Sequence, residues 1–263
     1  RPEPPARPAP RRQATYMPGG KRYPKTITGS DGAPMVHVPA GRFIMGSNEY
    51  DDEKPRRRVY LDGFYIDKYE VTNARFRAAG MSPKRSYGSK FGGSSQPVVG
   101  VTWHQAEAYC EKAGRRLPTE AEWEKAARGS EGSTWSWGSS PPSCQEANFR
   151  FVSWYCEESV VAVGTYPESR SAYGLYDTVG NAWEWVGDYY DAGYYEDSPE
   201  TDPQGPEDGC RSAVGEEAGT CIDRVMRGGA FNTTQATTRG SARSFENPGI
   251  YDINMGFRCA YGR

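Results

Sequence analysis

Histidine is nearly absent from this 263-residue chain, which holds only His37 and His104, and no two cysteines form a C-x-x-C pair. Together these scarcities exclude zinc ribbons and fingers, whose sites need four close Cys or His ligands. Apolar residues make up only 36% of the chain, and no apolar run approaches the roughly 20 residues a membrane helix needs. Lys and Arg number 32 against 34 Asp and Glu, a formal charge of −2. Such a balance gives no electrostatic basis for holding nucleic acid. The chain opens on Arg1 rather than Met, so we expect an upstream segment, the place for any membrane tether.

What is plentiful is aromatic residues at 13%, with 31 Gly and 20 Pro. That profile predicts a loop-rich globular domain anchored by Trp and Tyr rather than by aliphatic helices, and the length suffices for one sizeable core. Six cysteines stand at 110, 144, 156, 210, 221 and 259. Cys144 with Cys156 and Cys210 with Cys221 have the spacing of small disulfide-closed loops, which leaves Cys110 and Cys259 for a long-range bridge. Three disulfides imply an oxidising compartment, so the chain is expected to be secreted, periplasmic or at the cell surface. Six reduced thiols in a cytosolic protein are the alternative.

Residues 1–30, rich in Pro and Arg, are too poor in aliphatic side chains to fold and read as an extended linker or arm, with residues 31–263 as the domain. Arg7, Arg11, Arg12 and Lys21 give the arm its basic character. Met35-Val-His-Val-Pro-Ala-Gly-Arg-Phe-Ile-Met-Gly46 reads as a hairpin about a Pro-Ala-Gly turn. Val59 to Glu70 alternates as a strand, Val71 to Ala79 reads as a short helix, and a Gly/Ser-rich loop runs through Ser95. Thr102 with Gln105, and Thr119 with Glu122, have capping-box spacing for helices over 103–112 and about 117–128. No helix signal follows Gly129. The polar segment 188–223 reads as a long functional loop, and Asn254 to Tyr261 as a closing strand.

The densest stretch is Tyr173-Gly-Leu-Tyr-Asp-Thr-Val-Gly-Asn-Ala-Trp-Glu-Trp185. Gly174 and Gly180 mark turns. In a strand, Trp183 and Trp185 would share one face, with Glu184 on the other. A buried carboxylate among indoles must be ion-paired, hydrogen-bonded or metal-bound, so Asn181, Trp183, Glu184 and Trp185 are read as a structural hub.

Eight stretches in series resemble the formylglycine-generating enzyme, or sulfatase-modifying factor, family. They are Pro39 to Gly46, Tyr69 to Asn73, Pro97 to Trp103, Ala108 to Cys110, Arg116 to Glu124, Tyr173 to Trp185, Arg227 to Gly229 and Gly256 to Cys259. The resemblance implies an α+β fold, C-type-lectin-like, with low regular content and long loops. It also implies the Cys110–Cys259 disulfide and two calcium sites. One site would use Asn148, the Phe149 carbonyl and an acid such as Glu157 or Glu158. The other would lie at Ser171 and Gly174, although Ser171 and Ala172 stand where the family places Asn-Gly. Oxygen ligands of this kind suit calcium.

The active-site segment departs from the family. There the family places two copper(I)-binding cysteines shortly after the Gly-Gly pair. Here Gly228-Gly-Ala-Phe-Asn-Thr-Thr-Gln-Ala-Thr-Thr-Arg-Gly-Ser-Ala-Arg243 contains none, so no copper is expected, because hydroxyls and amides do not replace soft thiolates. The family's histidine-ligated iron branch, the sulfoxide synthases, is equally unsupported by two histidines. The expectation is therefore a non-catalytic exported module that binds a protein or other ligand, or serves as a subunit of a larger assembly. Its recognition surface is expected on the loops of 188–223 and 231–252, with Tyr189, Tyr190, Tyr194, Tyr195, Asn232, Arg239, Arg243 and Glu246. The alternative is an oxidoreductase-type enzyme of the family with other chemistry, as in branches linked to pigment or siderophore maturation. Its site would join Arg243, Glu246, Asn232 and His104.

Overall fold

A computed structural model describes residues 23–207, 210 and 221–262. The chain begins with β1 (Thr26–Thr28) and β2 (Pro34–Val38). Next come β3 (Gly41–Met45), β4 (Arg57–Leu61) and β5 (Phe64–Asp67). Helices α1 (Asn73–Ala78), α2 (Trp103–Lys112) and α3 (Glu120–Arg128) follow. Both anticipated capping boxes are present, Thr102 with Gln105 and Thr119 with Glu122. Then come β6 (Trp183–Tyr189), the single turn α4 (Tyr194–Asp197), β7 (Arg224–Arg227), β8 (Arg243–Glu246), β9 (Met255–Phe257) and β10 (Ala260–Tyr261). The fold is α+β, with little regular structure and long loops.

Three sheets result: β1-β2-β5-β10, the pair β3-β4, and β8-β7-β6-β9. Helix α3 packs against β3, β6 and β7, and α2 against β6. The expected hairpin over 35–46 does not form. Strand β2 pairs with β1 and β5 while β3 pairs with β4, so the chain changes sheets at Pro39. The cause lies in α3. The Lys125 ammonium, buried, donates to the Pro39 and Gly41 carbonyls at 2.8 and 2.9 Å and holds the corner open. Burial lowers the pKa of that amine to about 8.

Part of the segment expected as an arm over 1–30 is instead built into the domain: β1 pairs with β2, and Tyr23 stacks on His37 at 5.2 Å. Residues 1–22, with the basic side chains of the arm, lie outside the described residues. The strand read over 59–70 breaks into β4 and β5 at Asp62 and Gly63. The closing strand divides into β9 and β10, which belong to different sheets. The unanticipated α4 is a single turn without a side-chain cap, too short to show helical periodicity. All six cysteines are bridged in the expected pairs: Cys110–Cys259, Cys144–Cys156 and Cys210–Cys221.

Strand β6 is buried on both faces. Trp183 and Trp185 join a core with Trp103, Tyr109 and Phe257, and the Trp185 indole donates to the Val101 carbonyl at 3.1 Å. On the opposite face Glu184 accepts from Trp123 Nε1 at 2.8 Å and from both arms of Arg258 at 2.6 Å. Neither ion of that pair is exposed. Removing one partner strands the other charge in the core, and such losses cost about 3–5 kcal/mol. Arg258→Ala is therefore expected to destabilise the chain by about that amount, measured by urea unfolding. A loss below about 1 kcal/mol would show the pair to be dispensable.

Candidate functional site

Strand β7 ends in Gly228 and Gly229, with φ of 95° and 75°. A side chain would press on the Trp123 ring at the first and overlap Thr238 at the second, so glycine permits the reversal that follows. Thr233 Oγ1 accepts from the Ala230 amide at 2.8 Å and donates to its carbonyl at 3.1 Å. Thr237 and Thr238 donate to the carbonyls of Thr234 and Gln235, each at 2.9 Å. Hydroxyls in this turn thus serve the backbone, and no described cysteine is free.

Phe231, just past the turn, meets Phe91 at 5.8 Å, and Phe91 meets Tyr87 at 6.1 Å. Beside these rings opens a cleft of about 240 Å³ lined by Asn73, Arg77, Arg85, Tyr87, Phe91 and Val99 among others. Buried Asn73 fixes its rim by donating to the Phe91 carbonyl at 2.9 Å. The Arg85 guanidinium lies over the Tyr87 ring at 5.2 Å. Aromatic and cationic groups at one mouth suit recognition of a polar or acidic group on a partner. The Gly/Ser-rich composition of this segment points only to a loop. The signal available was Lys84-Arg85 followed by Tyr87 and Phe91.

The expected recognition surface must be corrected. The Arg243 side chain is buried, pairing with Glu120 at 2.8 and 3.0 Å and donating to the Asp52 and Asp191 carbonyls. Arg239 is buried against Glu53 at 2.6 and 2.9 Å. Tyr190, Tyr194 and Tyr195 are buried too, while Tyr189 is half-buried and stacked on Arg224 at 3.5 Å. Half-buried Asn232 accepts from Asn254 at 2.9 Å, and Glu246 accepts from the Asn247 amide at 3.0 Å. His104 is exposed on α2, edge-on to Trp103. The structure does not join Arg243, Glu246, Asn232 and His104 into one site. Part of 188–223, namely 208–209 and 211–220, lies outside the described residues.

The calcium expectation meets a mixed test. Asn148 is buried and its Oδ1 has no hydrogen-bond partner, while its Nδ2 donates to the Ser159 carbonyl at 2.9 Å. An orphaned hard oxygen fits an oxygen-seeking cation. The Phe149 carbonyl accepts from the Cys156 amide at 2.9 Å, and Glu157 and Glu158 are exposed. Ser171 and Gly174 fit less well, because that turn closes on itself. Ser171 Oγ accepts from the Leu175 amide at 3.2 Å, and its carbonyl accepts from Gly174 at 2.9 Å. Among the described residues no three acid, His or Cys side chains converge on one metal position.

Asn148 belongs to a larger polar layer. Its Nδ2 reaches Asn181 Oδ1 at 3.4 Å, and Asn181 donates to Glu70 at 2.6 Å. Gly180 and Asn181 both have positive φ, and a Cβ at Gly180 would overlap the Asn148 carbonyl. Burial, with Asp177 and Glu184 nearby, pushes the Glu70 carboxyl well above its usual range. Burial likewise raises Asp177 to about 6 and Asp188 to about 8.

Against known proteins, residues 21–262 match the family model of the "Sulfatase-modifying factor enzyme 1-like domain". The formylglycine-generating enzyme of Streptomyces coelicolor is 32% identical, covering 96% of this chain and 95% of that protein. The serine/threonine-protein kinase pkn1 of Chlamydia caviae is 33% identical over 87% of this chain, which spans only 38% of that protein. The solved structure of PvdO from Pseudomonas aeruginosa superposes with a TM-score of 0.75 at 24% identity, covering 92% of this chain and all of that one.

The raised acids fix a pH dependence. A carboxyl whose folded pKa lies above its unfolded value binds more protons when folded, so its stabilisation is complete below about 4 and falls as pH rises. Asp177 loses its share up to about 6 and Asp188 up to about 8. Unfolding free energy is expected to decline between pH 6 and 8 with a slope of up to about 1.4 kcal/mol per unit from Asp188. Asp188→Asn should flatten that segment, and an unchanged slope in the variant would refute the assignment.

Proposed function

The chain belongs to the sulfatase-modifying factor family, and on that premise we propose that it acts as a non-catalytic, exported binding module or assembly subunit. The observation that carries this reading is the turn after Gly229. Copper(I) chemistry needs soft thiolate ligands, and here all six cysteines are in disulfides while the turn offers threonine hydroxyls bound to its own backbone. The cleft beside Phe91, with Arg85 and Tyr87 at its mouth, supplies a surface of the residue types that dominate binding interfaces. The chlamydial kinase supports a modular role, since only part of that longer protein matches this domain. Three disulfides support an oxidising compartment.

Calcium is proposed as a structural ligand at Asn148, whose free Oδ1 would contribute one hard oxygen. The ion would supply countercharge to a layer rich in buried carboxylates.

Two measurements test the reading. A Cys-x-Pro-x-Arg peptide incubated aerobically with the copper(I)-supplemented protein is expected to yield no aldehyde on hydrazide trapping, and stoichiometric aldehyde would overturn the non-catalytic assignment. In thermal melts, calcium at about 100 times its Kd adds about 2.7 kcal/mol, a rise of roughly 5 °C or more for a domain of this size. Asn148→Ala should abolish the rise. A wild-type melt indifferent to calcium and to chelator would remove the calcium proposal.

A further inference from the structure

A second cleft, of about 250 Å³, opens between α2, the segment leading into α3, and the β6–β7 pair. Its walls carry Trp103, Glu107, Glu111, Leu117, Asp188 and Arg224 among others. Asp188 is 2% exposed. One of its oxygens accepts from the Glu120 amide at 2.7 Å, and burial, with Glu120 beside it, raises its pKa to about 8. Glu107 and Glu111 stand one helical turn apart on α2, and among the described residues neither side chain makes a hydrogen bond or ion pair. Burial, then repulsion from Glu111, raises the Glu107 pKa, as expected of like charges at this spacing.

The arginines lining the cleft offset these acids only in part, since the Glu107 pKa stays raised despite Arg224. Arg116 holds Glu122 through both arms at 2.6 and 2.7 Å. Arg224 is fixed as wall material, its guanidinium between the Trp103 ring at 3.8 Å and the Tyr189 ring at 3.5 Å, donating to the Gly187 carbonyl at 2.5 Å. Among the described residues lining the cleft, Glu107, Glu111 and Asp188 therefore meet two guanidiniums, of which Arg116 is already committed to Glu122. A metal ion is a poor match, because no three acids, His or Cys converge on one point. An organic cation spreads its charge over donors several ångströms apart and lays its stem on apolar walls, which Leu117 and Trp103 provide. The volume lies below the usual range for drug-sized ligands and suits a single long side chain.

We propose that this cleft binds an alkylammonium or alkylguanidinium group, seated with its charge between Glu107 and Glu111 and reaching the Asp188 carboxyl at the inner end. The site is separate from the Tyr87 cleft and holds whether or not the chain catalyses a reaction.

The test is titration of the intact chain at low ionic strength with Nα-acetyl-lysine methylamide, ethylguanidinium and spermidine, read by tryptophan fluorescence and NMR shifts of Trp103. Saturable binding of at least one is expected, weakened tenfold or more in Glu107→Gln/Glu111→Gln. Those positions lie on the outer side of α2, so the double variant should melt as wild type does. Asp188→Asn should weaken binding only as the pH rises past about 8, where Asp188 ionises, so at neutral pH the glutamine pair decides. Preference for the lysine or guanidinium probe identifies a protein side chain as guest, and preference for spermidine a free polyamine. The proposal is overturned if no probe saturates, if the glutamine pair binds as wild type does, or if acetate binds in their place.

Discussion

The pairing of Glu184 with Arg258 is the contact on which the layers of this molecule converge. Glu184 lies near the start of β6, between β7 and β9. Arg258 leaves the end of β9 and also donates to the carbonyls of Asp67, at 3.2 Å, and Tyr176, at 2.8 Å. One guanidinium thereby ties the second large sheet to the end of β5 and to the loop that precedes β6. Trp123 brings α3 to the same carboxylate. Burial of both ions is tolerable only because nearly every donor and acceptor has a partner.

The same device recurs wherever the backbone is irregular. Arg227 reaches the Gly240 and Ser241 carbonyls while pairing with Glu120 and Glu124. Arg128 reaches those of Gly46, Gly132 and Ser133. Loops have few ladder partners, and buried carbonyls without a donor are costly. An arginine brings five donors in a fixed fork, so it serves several loop carbonyls at once while an acid balances its charge. In this fold buried arginine does for the loops what sheet hydrogen bonding does elsewhere.

That arrangement explains what the sequence revealed and what it hid. The capping boxes before α2 and α3 and the local cysteine pairs are short-range signals and were legible. So was the alternation that sets Glu184 opposite Trp183 and Trp185. The corner at Pro39 was not, because it depends on Lys125, 84 residues beyond Gly41. Arg239 and Arg243 were read as surface residues because arginine usually is exposed. Their burial depends on Glu53 and Glu120, which lie 186 and 123 positions earlier in the chain. No local periodicity in a loop announces such a partner. The Tyr87 cleft was missed for a related reason: its loop is pinned by Asn73 and by the close approach of Gly100 to the Arg85 carbonyl.

These distributions separate the groups that hold the fold from the groups at the cleft mouths. Arg85 and Tyr87 at the cleft mouth belong to none of the buried acid–arginine layers, and Glu107 and Glu111 on α2 stand equally apart. Altering them leaves Glu184, Arg258 and Arg227 fully partnered. The turn after Gly229 is likewise self-sufficient, closed by threonine hydroxyls rather than by any group that must also react. A core tied by long-range ion pairs therefore leaves loop surfaces open to new recognition at little cost in stability. The few buried polar atoms left without a partner among the described residues, Asn148 Oδ1, Asp177 Oδ1 and Arg227 Nε among them, lie in or beside these same polar layers, where the crowded irregular backbone supplies no further donor or acceptor.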